Sequence, residues 1–283
     1  MNGKDPWASQ AQNDLMWTFT EPHVRVAMDG IRVPTGAFVL DVAAGTGSCA
    51  VPLAVRCAQQ GSAPHILATD LSPGMVAALA ANAEQAGVSS LVESKVMNAA
   101  MLELPDHSCD FVLIMFGLML MPQKLVVAAE LARVLKPGGR LIMTAWKSAG
   151  SVAVLRSIIA GAGKDPETAN GLEALVYSLA TAQQIQGVLC PAGFENIQVS
   201  EHEENYDITG PMLDKYIETF LENPCISGAF VGIPRDDVVA GVRHVLAEPS
   251  NGGSHFISTI THATKRCTEL VGSERTLPDR LTG

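Results

Sequence analysis

Two carboxylates in the first quarter of the chain follow short apolar runs, and small residues surround the first. Asp41 comes near the end of one run and is followed by Gly45 and Gly47, and Asp70 ends the next run. A carboxylate at a strand end can accept hydrogen bonds from an ammonium or hydroxyl group, and glycines let the backbone approach a ligand. These residue types at this spacing favour a site for a nucleotide-like ligand.

The elements that must position these residues are a strand, a glycine turn and a helix. Val39–Asp41 has the apolar pattern of a buried strand, and residues 48–60 have helical spacing. After Asp70, Ser72 is placed as an N-cap, and Pro73 suits the first helical position. Strands that alternate with helices predict an α/β fold with a parallel sheet.

The glycine turn alone fits two classes of protein. Residues 45–50, Gly-Thr-Gly-Ser-Cys-Ala, match the G-x-G-x-x-A fingerprint of dinucleotide binding, which would indicate an NAD-dependent oxidoreductase. Asp70 does not discriminate, because an acid at the second strand end would hold a ribose diol in either class. The alternative stays open on these residues.

Four motifs in order over residues 39–146 resemble class I S-adenosylmethionine-dependent methyltransferases. Residues 41–47 resemble the D-x-G-x-G-x-G turn of that family, with Ala43 where glycine is usual. Residues 98–114 are similar to its D-A-x-x-L-P and F-D-x-V stretch, with Asn98 in place of the acid. Residues 135–139, Leu-Lys-Pro-Gly-Gly, precede a strand, and residues 116–122 and the Ala-Trp pair at 145–146 resemble the branch that acts on small molecules.

The resemblance implies a doubly wound, Rossmann-like α/β sheet of seven strands in the order 3-2-1-4-5-7-6, with strand 7 antiparallel. Helical insertions would form a cap over the substrate. We expect one domain over residues 1–283. Its expected parts are a lid segment (1–32), a cofactor-binding core (33–147), helical insertions (148–190 and 210–250) and the last strands (191–209 and 254–266).

The implied cofactor is S-adenosyl-L-methionine. Gly45 and Gly47 would bring the backbone against its amino-acid end, and Asp41 would fix the turn and meet the ammonium. Asp70 would hold the ribose hydroxyls, and the side-chain oxygen of Asn98 would accept from the adenine amino group. The residues expected at the cofactor are Asp41, Ala43, Gly45, Gly47, Asp70, Leu71, Met75, Asn98, Ala99, Met115 and Phe116.

The methyl group of a sulfonium is already electrophilic, so the protein must mainly orient a nucleophile and exclude water. A general base is optional. The candidates are His23 in the lid and His107 before the fourth strand, and the alternative for each is a structural or solvated histidine without a catalytic role. We expect four apolar side chains around the acceptor. They are Trp17, Phe19, Met119 and Trp146.

Composition narrows the partners. The chain has 19 basic and 29 acidic residues, a net charge of −10, and no basic cluster, which disfavours a nucleic-acid substrate. The most apolar run, 111–122, is shorter than the roughly 20 residues of a membrane span, and no signal-peptide core is visible at the N-terminus. No metal-ligand spacing is visible, so no metal is expected. We therefore expect a cytoplasmic protein acting on a small-molecule methyl acceptor, with a homodimer possible.

Three functions stay open, and the first is preferred. The first is methyl transfer from S-adenosylmethionine to a small molecule by in-line displacement. The second is a protein that binds S-adenosylmethionine without transferase activity, an option that the altered Ala43 and Asn98 keep open. The third is the NAD-dependent oxidoreductase. Binding of S-adenosylmethionine, its demethylated product and NAD would separate them.

Overall fold

The computed structural model describes residue 5 and residues 10–165, 167–222, 230–247 and 254–267; of residues 10–14 and 167–169 it describes the backbone alone. Parts of the expected lid (1–4 and 6–9) and of the second helical insertion (223–229 and 248–250) therefore lie outside the described residues. Within the described residues, no helix is long and apolar enough to cross a membrane.

Seven strands form one sheet. They are β1 (Phe38–Val42), β2 (His65–Asp70), β3 (Val92–Val96), β4 (Cys109–Met115), β5 (Leu135–Ala149), β6 (Phe194–Asn205) and β7 (His255–Lys265). Their order is β3-β2-β1-β4-β5-β7-β6. Strands β1 to β5 pair in parallel, and β7 runs antiparallel to both β5 and β6. The predicted order and the antiparallel seventh strand are confirmed.

Helices cover the sheet. They are α1 (Gln10–Ala27), α2 (Ala50–Gln59), α3 (Pro73–Gln85), α4 (Lys124–Val134), α5 (Gly150–Gly161), α6 (Glu167–Val176), α7 (Ala182–Leu189), α8 (Gly210–Glu222) and α9 (Arg235–Ala247). The segment after β5 holds three helices, whereas its pattern suggests two. The third begins at a capping box, in which Thr181 and Gln184 satisfy each other's backbone N–H groups.

The central strands are apolar because both of their faces are covered. Leu40 of β1 pairs in register with Leu67 of β2 and Val112 of β4, and all three side chains are buried. Near-continuous apolar runs are typical of parallel strands between two helical layers. The order reverses between β1 and β4, so the carboxyl ends of β1, β2 and β4 border the crevice in which such sheets bind ligands.

The fifth strand is longer than the predicted segment 141–145. It starts at Leu135, which pairs with Cys109, and its regular pairing resumes where Arg140 pairs with Phe111. Residues 137–139 are therefore an irregularity within the strand and not a turn before it. Gly138, with φ +75°, supplies the left-handed backbone that this irregularity needs.

Candidate functional site

The turn after β1 is held in a left-handed backbone. Ala43, Gly45 and Gly47 have φ values of +54°, +56° and +94°. The N–H of Ala44 donates to the carbonyl of Thr69 at the end of β2, at 2.9 Å. The turn is therefore fixed against the neighbouring strand, and Ala43 adopts the conformation that glycine would adopt more easily.

Asp70 joins the two turns that follow β1 and β2. Its Oδ2 accepts from the N–H of Gly45 and its Oδ1 accepts from the N–H of Ser72, each at 2.9 Å. Burial raises the pKa of Asp70, and the two N–H donors offset part of this rise. Each carboxylate oxygen keeps a further lone pair for a ligand hydroxyl.

The start of α3 carries the predicted cap and one residue that sequence reasoning missed. The hydroxyl of Ser72 accepts from the N–H of Met75 at 3.1 Å, which confirms the N-cap. The carboxylate of Asp5 accepts from the N–H of Gly74 at 3.0 Å and from the hydroxyl of Ser72. No local pattern could reveal Asp5, because it reaches this helix from the distant N-terminal segment.

A cavity of about 760 Å³, here called the strand-end cavity, lies along the carboxyl ends of β1, β2 and β4. This is within the range of small-molecule and cofactor sites, about 300–1,000 Å³. The predicted cofactor residues that line it are Ala43, Gly45, Asp70, Leu71, Met75, Asn98, Ala99, Met115 and Phe116. Helix α1 adds Met16, Trp17 and Thr20.

Two predicted cofactor residues do not line this cavity. Gly47 is required for packing: a Cβ there would lie 2.9 Å from Cγ2 of Val51 and 3.1 Å from Cγ of Leu79. Asp41 is buried behind the turn, and neither of its carboxyl oxygens has a hydrogen-bond partner among the described residues. Burial raises the pKa of Asp41 to about 7; the nearby N–H of Ala50 lowers it and the charge of Asp70 raises it.

Asn98 lies on the cavity wall with its side-chain oxygen already engaged. Its Oδ1 accepts from the N–H of Ala100 at 2.9 Å. This oxygen keeps a second lone pair, so the expected role, in which it accepts from an adenine amino group, stays a prediction. The amide NH₂ of Asn98 is a second group that can face a ligand.

A smaller cavity of about 120 Å³, here called the aromatic chamber, adjoins the strand-end cavity. Phe19, Met119 and Trp146 line it, as the sequence predicts for the acceptor, whereas Trp17 lines the strand-end cavity instead. Phe116 and Trp146 are stacked, with ring centroids 4.0 Å apart. Three residues line both cavities. They are Met16, Phe116 and Leu120.

The two candidate bases do not line either cavity. His23 is buried, with Nδ1 2.9 Å from the hydroxyl of Ser258 and its ring edge-on to Trp146. Burial lowers the pKa of His23 to about 4, so the ring is neutral at pH 7. His107 precedes the amino end of β4, with Nδ1 2.7 Å from Nζ of Lys265, so the structure does not bring this candidate base to either cavity.

The seven-stranded sheet, with its order and its antiparallel seventh strand, has the class I methyltransferase fold. A family model described as a methyltransferase domain matches residues 40–143, which hold the turn, Asp70 and Asn98. Over these residues the chain is similar to methyltransferase domains.

Two relatives with assigned functions are similar to parts of this chain. The chain is 36% identical over 115 residues to a demethylmenaquinone methyltransferase of Bacillus licheniformis, covering 41% of this chain and 47% of that protein. It is 29% identical over 184 residues to a ubiquinone/menaquinone biosynthesis C-methyltransferase of Serratia proteamaculans, covering 61% of this chain and 72% of that protein. The chain thus spans about half the length of the first relative and more of the second.

Solved structures share the fold at low sequence identity. The [4+2]-cyclase SpnF matches with a TM-score of 0.55 and 22% identity, over 87% of this chain and 81% of that chain. The Haemonchus contortus phosphoethanolamine N-methyltransferase 2 in complex with S-adenosyl-L-methionine matches with a TM-score of 0.53 and 17% identity, over 87% and 52%. These similarities show the fold alone.

Proposed function

We propose that this protein transfers the methyl group of S-adenosylmethionine to a flat, apolar small molecule held in the aromatic chamber. The observation that carries the proposal is the contact between two cavities of different chemistry. The strand-end cavity offers carboxylate and backbone groups, and the aromatic chamber offers rings and aliphatic side chains. They meet at Phe116, where the methyl group would pass from one cavity to the other.

The residues of the strand-end cavity fit the parts of the cofactor. Asp70 accepts hydrogen bonds from the ribose hydroxyls through its remaining lone pairs. Leu71, which is largely exposed, packs against the adenine ring, and the amide NH₂ of Asn98 donates to an adenine nitrogen. The turn at Ala43–Gly45 faces the amino-acid end. When bound, the cofactor supplies an electrophilic methyl group.

The walls of the aromatic chamber limit the acceptor. Among the described residues, no Asp, Glu, His, Lys or Arg lines it, and its one titratable group is the Tyr216 hydroxyl, whose pKa burial raises above its ordinary value. The walls therefore offer no general base that works near neutral pH. The acceptor must be nucleophilic on its own, and its surface must be mostly apolar.

Helix α1 covers both cavities and supports the proposed lid. Met16 and Trp17 face the strand-end cavity, while the ring of Phe19 packs edge-on against that of Tyr206, the residue after β6, with ring centroids 4.8 Å apart. The role of this helix is to exclude water and press the acceptor towards Phe116. The cytoplasmic location and the homodimer stay predictions.

The proposal is tested in two stages. Calorimetry with S-adenosylhomocysteine and NAD comes first, and we expect the former to bind and the latter not to bind. Transfer of a radioactive methyl group to apolar ring compounds comes second, with reduced naphthoquinones included because the relatives carry quinone names. Binding of NAD alone would indicate the oxidoreductase; binding of S-adenosylhomocysteine with no transfer to any ring compound would indicate a protein without transferase activity.

A further inference from the structure

Three residues with hydroxyl groups line the aromatic chamber, the partly exposed Ser151 and the buried Tyr216 and Thr219. Tyr216 and Thr219 lie one helical turn apart on α8, a spacing that places both on one face of the helix. Both residues line the chamber. Both are nine-tenths or more buried, at 4% and 5% relative exposure.

Neither hydroxyl has a hydrogen-bond partner among the described residues. This is unusual, because buried polar groups in folded proteins are nearly always paired. A helical threonine commonly donates to the carbonyl one turn back, yet Thr219 does not. Among the described residues, the ring of Tyr216 lies edge-on to Phe19 and stacks on Phe220.

Several other tyrosine and threonine hydroxyls are paired, although the buried hydroxyl of Thr261 on β7 has no partner within the described part of the chain. The Tyr177 hydroxyl accepts from the N–H of Ala149 at 3.0 Å, and that of Tyr206 donates to the carbonyl of Phe19 at 2.9 Å. The Thr259 hydroxyl reaches the carbonyls of Ala145 and Leu179. Among the unpaired buried hydroxyls of the described residues, those of Tyr216 and Thr219 line the chamber in which the proposed acceptor would lie, and that of Thr261 lines neither cavity.

We infer that Tyr216 and Thr219 hydrogen-bond an oxygen atom of the acceptor, so that the aromatic chamber selects flat ring compounds that carry a carbonyl or hydroxyl oxygen. This inference rests on the proposed function for the identity of the ligand as a methyl acceptor. A hydroxyl can donate to a carbonyl and accept from a hydroxyl, so both forms of oxygen are recognised. The surrounding rings contact the apolar part of the acceptor and do not recognise its oxygen atom.

The first test needs no ligand. An unpaired buried hydroxyl destabilises the free protein, so Tyr216→Phe and Thr219→Val should each raise the melting temperature by about 2 °C or leave it unchanged. The matched controls Tyr177→Phe and Thr259→Val remove paired hydroxyls and should lower it. A clear fall in the melting temperature for Tyr216→Phe would show that its hydroxyl has a structural partner and would overturn the inference.

The second test compares two probes that differ by one hydroxyl group, 2-naphthol and naphthalene. Their binding to the full chain, saturated with S-adenosylhomocysteine, is measured by equilibrium dialysis. In Tyr216→Phe the Kd of 2-naphthol should rise about tenfold, the cost of one lost hydrogen bond, and that of naphthalene should change less than about twofold. Thr219→Val should show the same pattern with a smaller change.

Several outcomes contradict the inference. They are equal changes for both probes, no change for either probe, or no binding of 2-naphthol to the unaltered protein. The proposed function is judged separately, because methyl transfer and S-adenosylhomocysteine binding are measured on the unaltered protein. If Tyr216→Phe selectively loses 2-naphthol binding and the unaltered protein transfers no methyl group, the oxygen site is kept and the transferase is rejected. If the unaltered protein transfers methyl groups and Tyr216→Phe transfers them equally well, the transferase is kept and the oxygen site is rejected.

Discussion

The strand-end cavity and the aromatic chamber touch at Phe116 but are built in different ways. The strand-end cavity uses backbone N–H groups, left-handed turn residues and the carboxylate of Asp70 at the ends of adjacent strands. Its lining residues fall within residues 40–143, apart from Asp5 and the residues of helix α1. The aromatic chamber uses side chains from α1, α5, α6 and α8, with Trp146 of β5 and Phe256 of β7.

This difference shows where each cavity can change. A site made of backbone geometry depends on the sheet itself, so substitutions there act on folding as well as on binding. A site made of side chains on helices can be altered residue by residue while the sheet stays intact. Substitutions in and around the two cavities can therefore test whether they really differ in this way.

Gly47→Val should have the largest effect, and on stability. The new side chain would meet Val51 and Leu79 in a backbone with φ +94°, so both overpacking and strain oppose it. We expect a loss on the order of 4 kcal/mol in the free energy of unfolding, measured with urea.

Gly45→Ala is the matched comparison within the turn. A Cβ at Gly45 comes no closer than 4.0 Å to Sδ of Met75, although the φ is +56°. We expect a loss of about 1 kcal/mol in stability. If Gly45→Ala destabilised as much as Gly47→Val, the division between a cavity wall and a packing position would be wrong.

Asp41→Asn should change how stability depends on pH. The folded-state pKa of about 7 lies above the unfolded value near 4, so the native protein binds more protons between these values. Stability therefore falls as the pH rises from about 4 to 7, by up to roughly 1.4 kcal/mol per pH unit. Urea unfolding of both proteins should show this fall in the unaltered chain and its absence in the variant.

The difference between the two proteins removes the contribution of other groups. His23, whose pKa is lowered, gives the opposite slope, because its stabilising effect is lost as the pH falls from about 6.5 through 4. His23 is present in both proteins, so its contribution to the pH dependence cancels when the two stability profiles are subtracted. Parallel pH profiles for Asp41→Asn and the unaltered chain would contradict the burial of an ionisable carboxyl behind the turn.

Asp70→Ala should weaken cofactor binding far more than it weakens the fold. The variant loses the acceptor for the ribose hydroxyls and frees the N–H groups of Gly45 and Ser72. Two charge-assisted hydrogen bonds correspond to roughly a hundredfold loss in affinity for S-adenosylhomocysteine, measured by calorimetry. A loss below about threefold would indicate that Asp70 only holds the turns together, and naphthalene binding in the aromatic chamber should not change.

Substitutions at Ala43 and Gly117 should have non-additive effects on the free energy of unfolding. A Cβ at Gly117 would lie 2.8 Å from that of Ala43 and 3.2 Å from Cγ1 of Ile114. We expect Gly117→Ala to cost about 2 kcal/mol in the unaltered chain and about 1 kcal/mol less in an Ala43→Gly background. Additive effects in this double-mutant cycle would show that the methyl group of Ala43 does not determine the glycine at 117.

Much of the fold could be predicted from the sequence because its signals are local. The apolar run before Asp41, the Ser72-Pro73 start of a helix and the glycine turn each act within a few residues, and the strand order followed from the resemblance. Position within the strand-end cavity was also predictable for Asp70 and Leu71, since strand ends meet at one edge of a parallel sheet.

The rest depended on contacts between distant parts of the chain. The side-chain oxygen of Asn98 is used locally by Ala100, and Asp41 points behind the turn, which spacing cannot reveal. The hydroxyls of Tyr216 and Thr219 look like ordinary helix residues until α8 packs against α1 and the chamber closes around them. No pattern in the sequence marks such a residue as unpaired.

The most direct test of the two-cavity account is a crystal structure of the full chain with S-adenosylhomocysteine. We expect the ribose hydroxyls within hydrogen-bond distance of the Asp70 carboxylate and the sulfur atom beside Phe116, facing the aromatic chamber. A nucleoside bound away from Asp70, or a sulfur atom separated from the chamber by the wall at Phe116, would contradict the account.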